Sequence, residues 1–189
     1  MKYLELVAPS SSVVPRSVVR GRPNPTHQGF VARLKRARKA AKQTRLGLSK
    51  KAGLPDNSTV YVLEQGERIP RVDTVAKIAS ALALSPGLLA YGLADDLTLG
   101  ALPSVDGIGE RLRSIRLAQG LSVLALSRLA AVSHTAIGNI ERGTMPTIAT
   151  AESLADALGI SPSWLAFAVG PRVLPNRRKV RTAQPDARD

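Results

Sequence analysis

The 189-residue chain contains no cysteine. Disulfides, zinc–thiolate centres and cysteine nucleophiles are thereby excluded, and a reducing compartment is permitted. Aromatic residues make up only 3% of the chain, so a core must be built from Ala, Leu, Val and Ile, which suits small helical domains. There are two histidines, His27 and His134, and neither has further ligands spaced to hold a metal. No apolar run approaches the ~18 residues needed to cross a membrane. The N-terminal "MKYLELVAPSSSVVPRSVV" has no continuous apolar stretch of signal-peptide length, and its "KYLELV" is the one weakly strand-like alternation. The reading is of an intracellular, cytoplasmic protein. A phosphate-cradling loop and a catalytic triad are also missing, and His27 sits in a Pro-rich stretch with no evident acid or base beside it. Neither an enzyme nor a cofactor is expected.

Acidic residues are scarce too. The 14 Asp and Glu face 27 Lys and Arg, a net charge of +13. An excess this large in a small protein predicts an anionic partner, nucleic acid first and an acidic membrane surface second. Hydrophobic content of 44% is that of a folded chain.

What the chain does have is a repeat. "ARLKRARKAAKQTRLGLSKKAGL" (32–54) aligns with "ERLRSIRLAQGLSVLALSRLAAV" (110–132), with identities that include Arg33/Arg111, Leu34/Leu112, Arg38/Arg116, Ala40/Ala118, Leu48/Leu126, Ser49/Ser127 and Ala52/Ala130. "TVYVLEQGERIP" then meets "AIGNIERGTMP", and "IASALALSP" meets "LADALGISP". Two single-residue insertions in the first copy, before Thr59 and before Pro70, account for the drift in offset. The expected organisation is an N-terminal tail (1–28), a first domain (29–92), an acidic linker (93–107), a second domain (108–168) and a basic C-terminal tail (169–189). Charge is unequal: residues 29–92 carry a net +8 and residues 108–167 a net +1. The linker could stretch to about 50 Å at ~3.3–3.6 Å per residue.

Apolar residues recur at the 3.6-residue period, predicting five helices per copy. In the first copy they cover 29–42, 44–52, 57–64, 72–82 and 86–90. In the second they cover 108–119, a short helix to Leu129 capped by Ser122, one ending at Glu141 capped by Ser133, 148–158, and one from Pro162 capped by Ser161. Trp164, Leu165 and Phe167 are read as closing the second core, with an apolar dimer surface as the other use of that cluster. Helices two and three of each copy, joined through small residues (Ala130 and Ala131; Ala52 and Gly53), form a helix-turn-helix. Ile137 and Ile140, like Val60 and Leu63, face the core. His134, Thr135, Gly138 and Asn139 are left on the outer face, where a third helix can lie along a DNA major groove. Asn139 fits bidentate recognition of adenine. "RLKRARKAAK" and "PNRRKVR" (175–181) are either solvated charge or phosphate contacts.

The phrases "R-x-x-x-G-L-S", "A-x-V-S-x-T-x-I-x-x-I-E-R-G" and "L-A-x-A-L-G-I-S" in the second copy resemble the lambda-repressor-like (Xre/Cro-type) DNA-binding family, and the first copy is a looser match. The resemblance implies an all-α fold of two tandem five-helix domains joined by the acidic linker, with basic, flexible tails. It implies structural ion pairs Arg38–Glu64 and Arg116–Glu141, from helix one to the end of helix three. Base-edge positions would be His134, Thr135 and Asn139, matched by Asn57, Ser58 and Val62. Arg142, Ser122, Thr44 and Arg45 would meet phosphates, and Thr59, Tyr61 and Ser133 complete the DNA-facing set. Where the family usually has Gln at the second position of helix two, this chain has Arg45 and Val123. Val62 offers no polar atom to a base, and Asp56 would repel phosphate.

The function implied is a sequence-specific regulator of the bacterial or phage type, nucleoid-associated and acting as a repressor on double-stranded DNA. A single chain would occupy two half-sites ~34–36 Å apart. A homodimer and a second regulatory protein are the further partners this reading admits, and no membrane. The competing expectation is a protein-binding adaptor or anti-activator that keeps the fold while one copy has lost DNA reading.

Overall fold

The structure, a computed structural model, describes residues 26–93 and 103–173. The weak N-terminal alternation (2–7), most of the acidic linker and the basic run 175–181 lie outside the described residues. Hydroxyl side chains begin most of the helices. Thr44 accepts from the Gly47 amide to start α2 (Arg45–Lys51), and Ser122 from Ala125 to start α7 (Val123–Ala130). Ser133 starts α8 (His134–Glu141) and Thr147 starts α9 (Ile148–Leu158) in the same way. Ser85 and Ser161 cap α5 (Pro86–Tyr91) and α10 (Pro162–Phe167), each with proline at the first helical position, where no N–H is needed. Each such cap is worth about 1 kcal/mol. The remaining helices are α1 (Phe30–Ala40), α3 (Thr59–Gln65), α4 (Val72–Ala81) and α6 (Ile108–Ala118), with a 3-10 turn at Thr26–Gly29 ahead of α1. The third helix begins at Thr59 rather than at Asn57, because the Asp56 carboxylate takes the Ser58 amide at 2.8 Å and holds residues 56–58 in a turn.

Among the described residues the architecture is all-helical, with five helices in each module. Leu34, Leu48, Val60 and Leu63 fill the first core, and Leu112, Leu126, Ile137 and Ile140 occupy the equivalent places in the second. The backbone repeats more faithfully than the sequence. Left-handed residues fall at matched positions in the two modules: Lys42 and Gly120, Gly53 and Ala131, Ala83 and Gly159, Gly92 and Ala168. In each of these four pairs one copy has glycine and the other does not, whereas a fifth, Gly66 and Gly143, is glycine in both.

The two modules share a core rather than hanging from a linker. Arg71 and Thr147 form an antiparallel bridge. The Val72 amide donates to Pro146 O at 3.0 Å, and the Ile148 amide donates to Pro70 O at 3.0 Å. These are corresponding residues of the two copies, so the contact is reciprocal, as across a two-fold axis. Helices α5 and α10 pack together nearby. The rings of Tyr91 and Phe167, again corresponding residues, lie 6.2 Å apart at 49°, and Tyr91 Oη donates to Ile148 O at 3.2 Å. Ile108, Ile148, Ala151, Ala166, Phe167 and Val169 thereby join the buried cluster of the first module. Leu165 closes the second core, as its pattern suggests, whereas Phe167 serves the junction. The spacing between modules is set by this packing and not by the reach of the linker.

One contact breaks the symmetry. Glu152, where the first copy has Ala76, reaches the start of the chain. Its Oε1 accepts from the Thr26 amide at 2.6 Å and from Thr26 Oγ1 at 2.5 Å. Its Oε2 accepts from the His27 amide at 3.1 Å and lies 2.5 Å from His27 Nδ1. His27, without an acid beside it in the sequence, acquires one through the fold. Burial opposes the charge on Glu152, but these bonds outweigh it and hold the carboxyl below the usual carboxylate range.

Candidate nucleic-acid interface

The chain turns through 116° between α7 and α8, the crossing that lets one helix brace another against a groove. The turn is tied back to the first helix by an ion pair. Arg116 Nε and Nη2 donate to Glu141 Oε1 and Oε2 at 2.6 and 2.9 Å, and Nη1 donates to Leu121 O at 2.8 Å. In the first module Arg38 makes the same fork, at 2.6 and 3.2 Å to Glu64 and 2.8 Å to Gln43 O. Glu64 is fully buried and takes a third bond, from Arg45 Nε at 2.7 Å. Burial disfavours its charged form, yet the bonds from Arg38 and Arg45 prevail and keep its carboxyl below the ordinary range. Each fork fixes the angle of the exposed helix against the core.

Gly109 permits the close approach of α6 to the end of α8: a Cβ there would run into the carbonyl oxygen of Ile140. Helix α8 buries Ile137 and Ile140 and exposes His134, Thr135 and Asn139. Ser133 and Ser122 are exposed caps, each accepting a helix amide. Arg142 is exposed and donates from Nη2 to Asn139 Oδ1 at 2.6 Å. The second module thus gathers His134, Thr135, Asn139 and Arg142 on one open face.

The first module differs at every one of those places. Asn57 and Ser58 are exposed but precede the helix, and Ser58 Oγ donates to Asp56 Oδ2 at 2.8 Å. The bonds from the Ser58 amide and hydroxyl hold Asp56 ionised below its usual range, so a fixed negative charge stands at the start of α3. Thr59 is half-buried, and Val62 is partly covered. Arg45, whose side chain is 44% exposed, gives Nε to Glu64 and lies 5.3 Å over the Tyr61 ring. It is therefore part of the brace as well as a surface cation. Thr44 is exposed and caps α2 by accepting the Gly47 amide.

Sequence reasoning missed two anchors. Arg33 donates to Leu89 O, Ala90 O and Thr26 O, and Arg111 donates to Leu165 O, Asp106 O, Ala166 O and Ser104 O. Each hooks the end of its module's last helix. Their identity across the repeat was the available signal. Among the described residues, no group of three or more His, Cys, Asp or Glu gathers to hold a metal, and no single helix is long and apolar enough to cross a membrane.

A helix-turn-helix family model matches the chain twice, over residues 34–89 and 112–165. No solved structure matches it.

Proposed function

The chain belongs to the helix-turn-helix family of Xre and lambda-repressor-like DNA-binding regulators, and we propose that it is a repressor whose two modules grip one duplex together. The observation that carries this reading is the reciprocal contact through Val72, Pro146, Ile148 and Pro70. It relates two exposed helices by an approximate two-fold axis, the symmetry of paired half-sites on DNA. From the end of each helix to the bridge is about six residues, at most ~20 Å of chain. The two arms together reach at most ~40 Å, which accommodates a centre-to-centre separation of ~34–36 Å.

The roles divide by module. The first, with net charge +8 over residues 29–92, supplies phosphate attraction through Thr44 and Arg45, with Asn57, Ser58, Thr59 and Tyr61 facing the duplex beside them. The second supplies base reading through His134, Thr135 and Asn139, with Ser122, Ser133 and Arg142 flanking them. The test is a polarisation titration of genomic fragments across salt. The logarithm of the affinity should fall linearly with the logarithm of salt concentration. Arg45→Ala should weaken every sequence alike, while Asn139→Ala should lower the preference for one base by ~1–3 kcal/mol. No binding at low salt would reject the reading.

The ionised Asp56 ahead of α3 and the apolar Val62 favour a second reading, in which the first module docks a protein rather than DNA. A pull-down from the native host that recovers a regulator, undisturbed by substitution of His134 and Asn139, would select it.

A further inference from the structure

Asparagine reads adenine because its amide has both an acceptor, for the N6 amino group, and a donor, for N7. On α8 the acceptor half of that pair is drawn aside. Arginine has no acceptor, so the Asn139 atom facing Arg142 Nη2 at 2.6 Å is necessarily the oxygen. The amide nitrogen, with its two hydrogens, is turned away from the arginine. Gly138 makes room for the arrangement: a Cβ at that position would stand 3.3 Å from Arg142 Nη1. Positions 134, 135, 138, 139 and 142 fall on one side of the helix, so the Asn139–Arg142 pair lies beside His134 and Thr135 on the exposed face.

With its oxygen turned toward Arg142 and one of its two lone pairs held there by a charged donor, Asn139 offers Nδ2–H outward, and Arg142 offers its remaining N–H groups. The outward edge of the pair is made of donors. Guanine is the base whose major-groove edge shows two acceptors, N7 and O6, and no donor. We infer that Asn139 and Arg142 act together as a guanine-reading fork. This replaces the adenine assignment that Asn139 alone suggests.

The fork occurs once. The corresponding residues of α3 are Tyr61, Val62 and Gln65. An exposed Tyr61 stands where α8 has Gly138, and Arg45 lies 5.3 Å over its ring. Val62 has nothing to present. The near-symmetric pair of modules therefore carries unlike reading heads, and the chain sits on its site in one orientation, with guanine specified in one half only. This inference rests on the DNA-reading role proposed above.

The experiment is selection of duplexes from a randomised library by the full chain and by its Arg142→Ala variant. Removing Arg142 frees the Asn139 oxygen, and the substitution is on an exposed residue. The wild type should enrich guanine at a position in one half-site only. Replacing that guanine by 7-deazaguanine should lower affinity about tenfold or more. In the Arg142→Ala pool the preference at that position should move to adenine. A wild-type preference for adenine there, a symmetric consensus, or an identical preference in the two pools would overturn the fork while leaving DNA binding intact. Failure to enrich any duplex would overturn the fork together with the role on which it rests.

Discussion

Glu64 and Glu141 occupy the same place in the two modules but not the same company. Glu64 has two arginines, and Glu141 has one. Leaving a buried carboxylate unpaired costs roughly 3–5 kcal/mol. Glu141, with its side chain 11% exposed, should suffer the lower end of that cost in Arg116→Ala, and Arg38→Ala should cost less still, because Arg45 holds Glu64; urea unfolding of the two variants measures the difference. Both arginines were legible from the family resemblance. The third partner, Arg45, was not, because its position suggested phosphate alone. The carboxyls also set an acid limit. Glu64 and Glu152 are both held below their ordinary value, near ~4.3. A depressed folded pKa contributes stability that is complete above the unfolded value and is lost as pH falls through the folded one. Stability should be level near neutrality and drop below about pH 4.3, and a Glu64→Gln, Glu152→Gln double variant should show a shallower acid slope in the same unfolding assay.

At the scale of the element, the matched left-handed positions matter most. Ala131 ends α7 at φ 54°, where the first copy has Gly53 at φ 60°. The left-handed conformation costs a residue with a Cβ about 1–2 kcal/mol, and a Cβ at Gly53 would meet nothing within 4 Å. The penalty at Ala131 is thus one of backbone conformation. Ala131→Gly should stabilise the protein by roughly 0.5–1 kcal/mol after the entropy of glycine in the unfolded chain is counted, raising the melting temperature by a few degrees. No change on calorimetry would contradict this. Helix existence and order were readable because Ser, Thr, Pro and apolar spacing mark them. The start of α3 was not, since residues 57 and 58 continue the helical pattern while the Asp56 carboxylate draws them into a turn ahead of Thr59.

At the scale of the whole molecule, the sequence showed two modules but not their junction. The residues that form it, Pro70, Val72, Tyr91, Pro146, Ile148 and Phe167, are apolar positions indistinguishable from ordinary core. The clasp on Thr26 and His27 depends on Glu152, which lacks a counterpart in the repeat. A shared core predicts shared unfolding. Phe167→Ala, which opens a cavity worth ~3–5 kcal/mol, should lower one common transition in calorimetry; separate melting of two modules would deny the shared core. The junction also fixes the spacing of the two exposed helices, and one measurement tests this claim directly. Affinity should be compared between a selected site and the same site with five base pairs inserted between its halves, which turns one half to the far side of the duplex. A packed pair of modules predicts that affinity falls to that of a single half-site. Undiminished binding to the lengthened site would mean that the modules move independently on their linker, and would contradict the account.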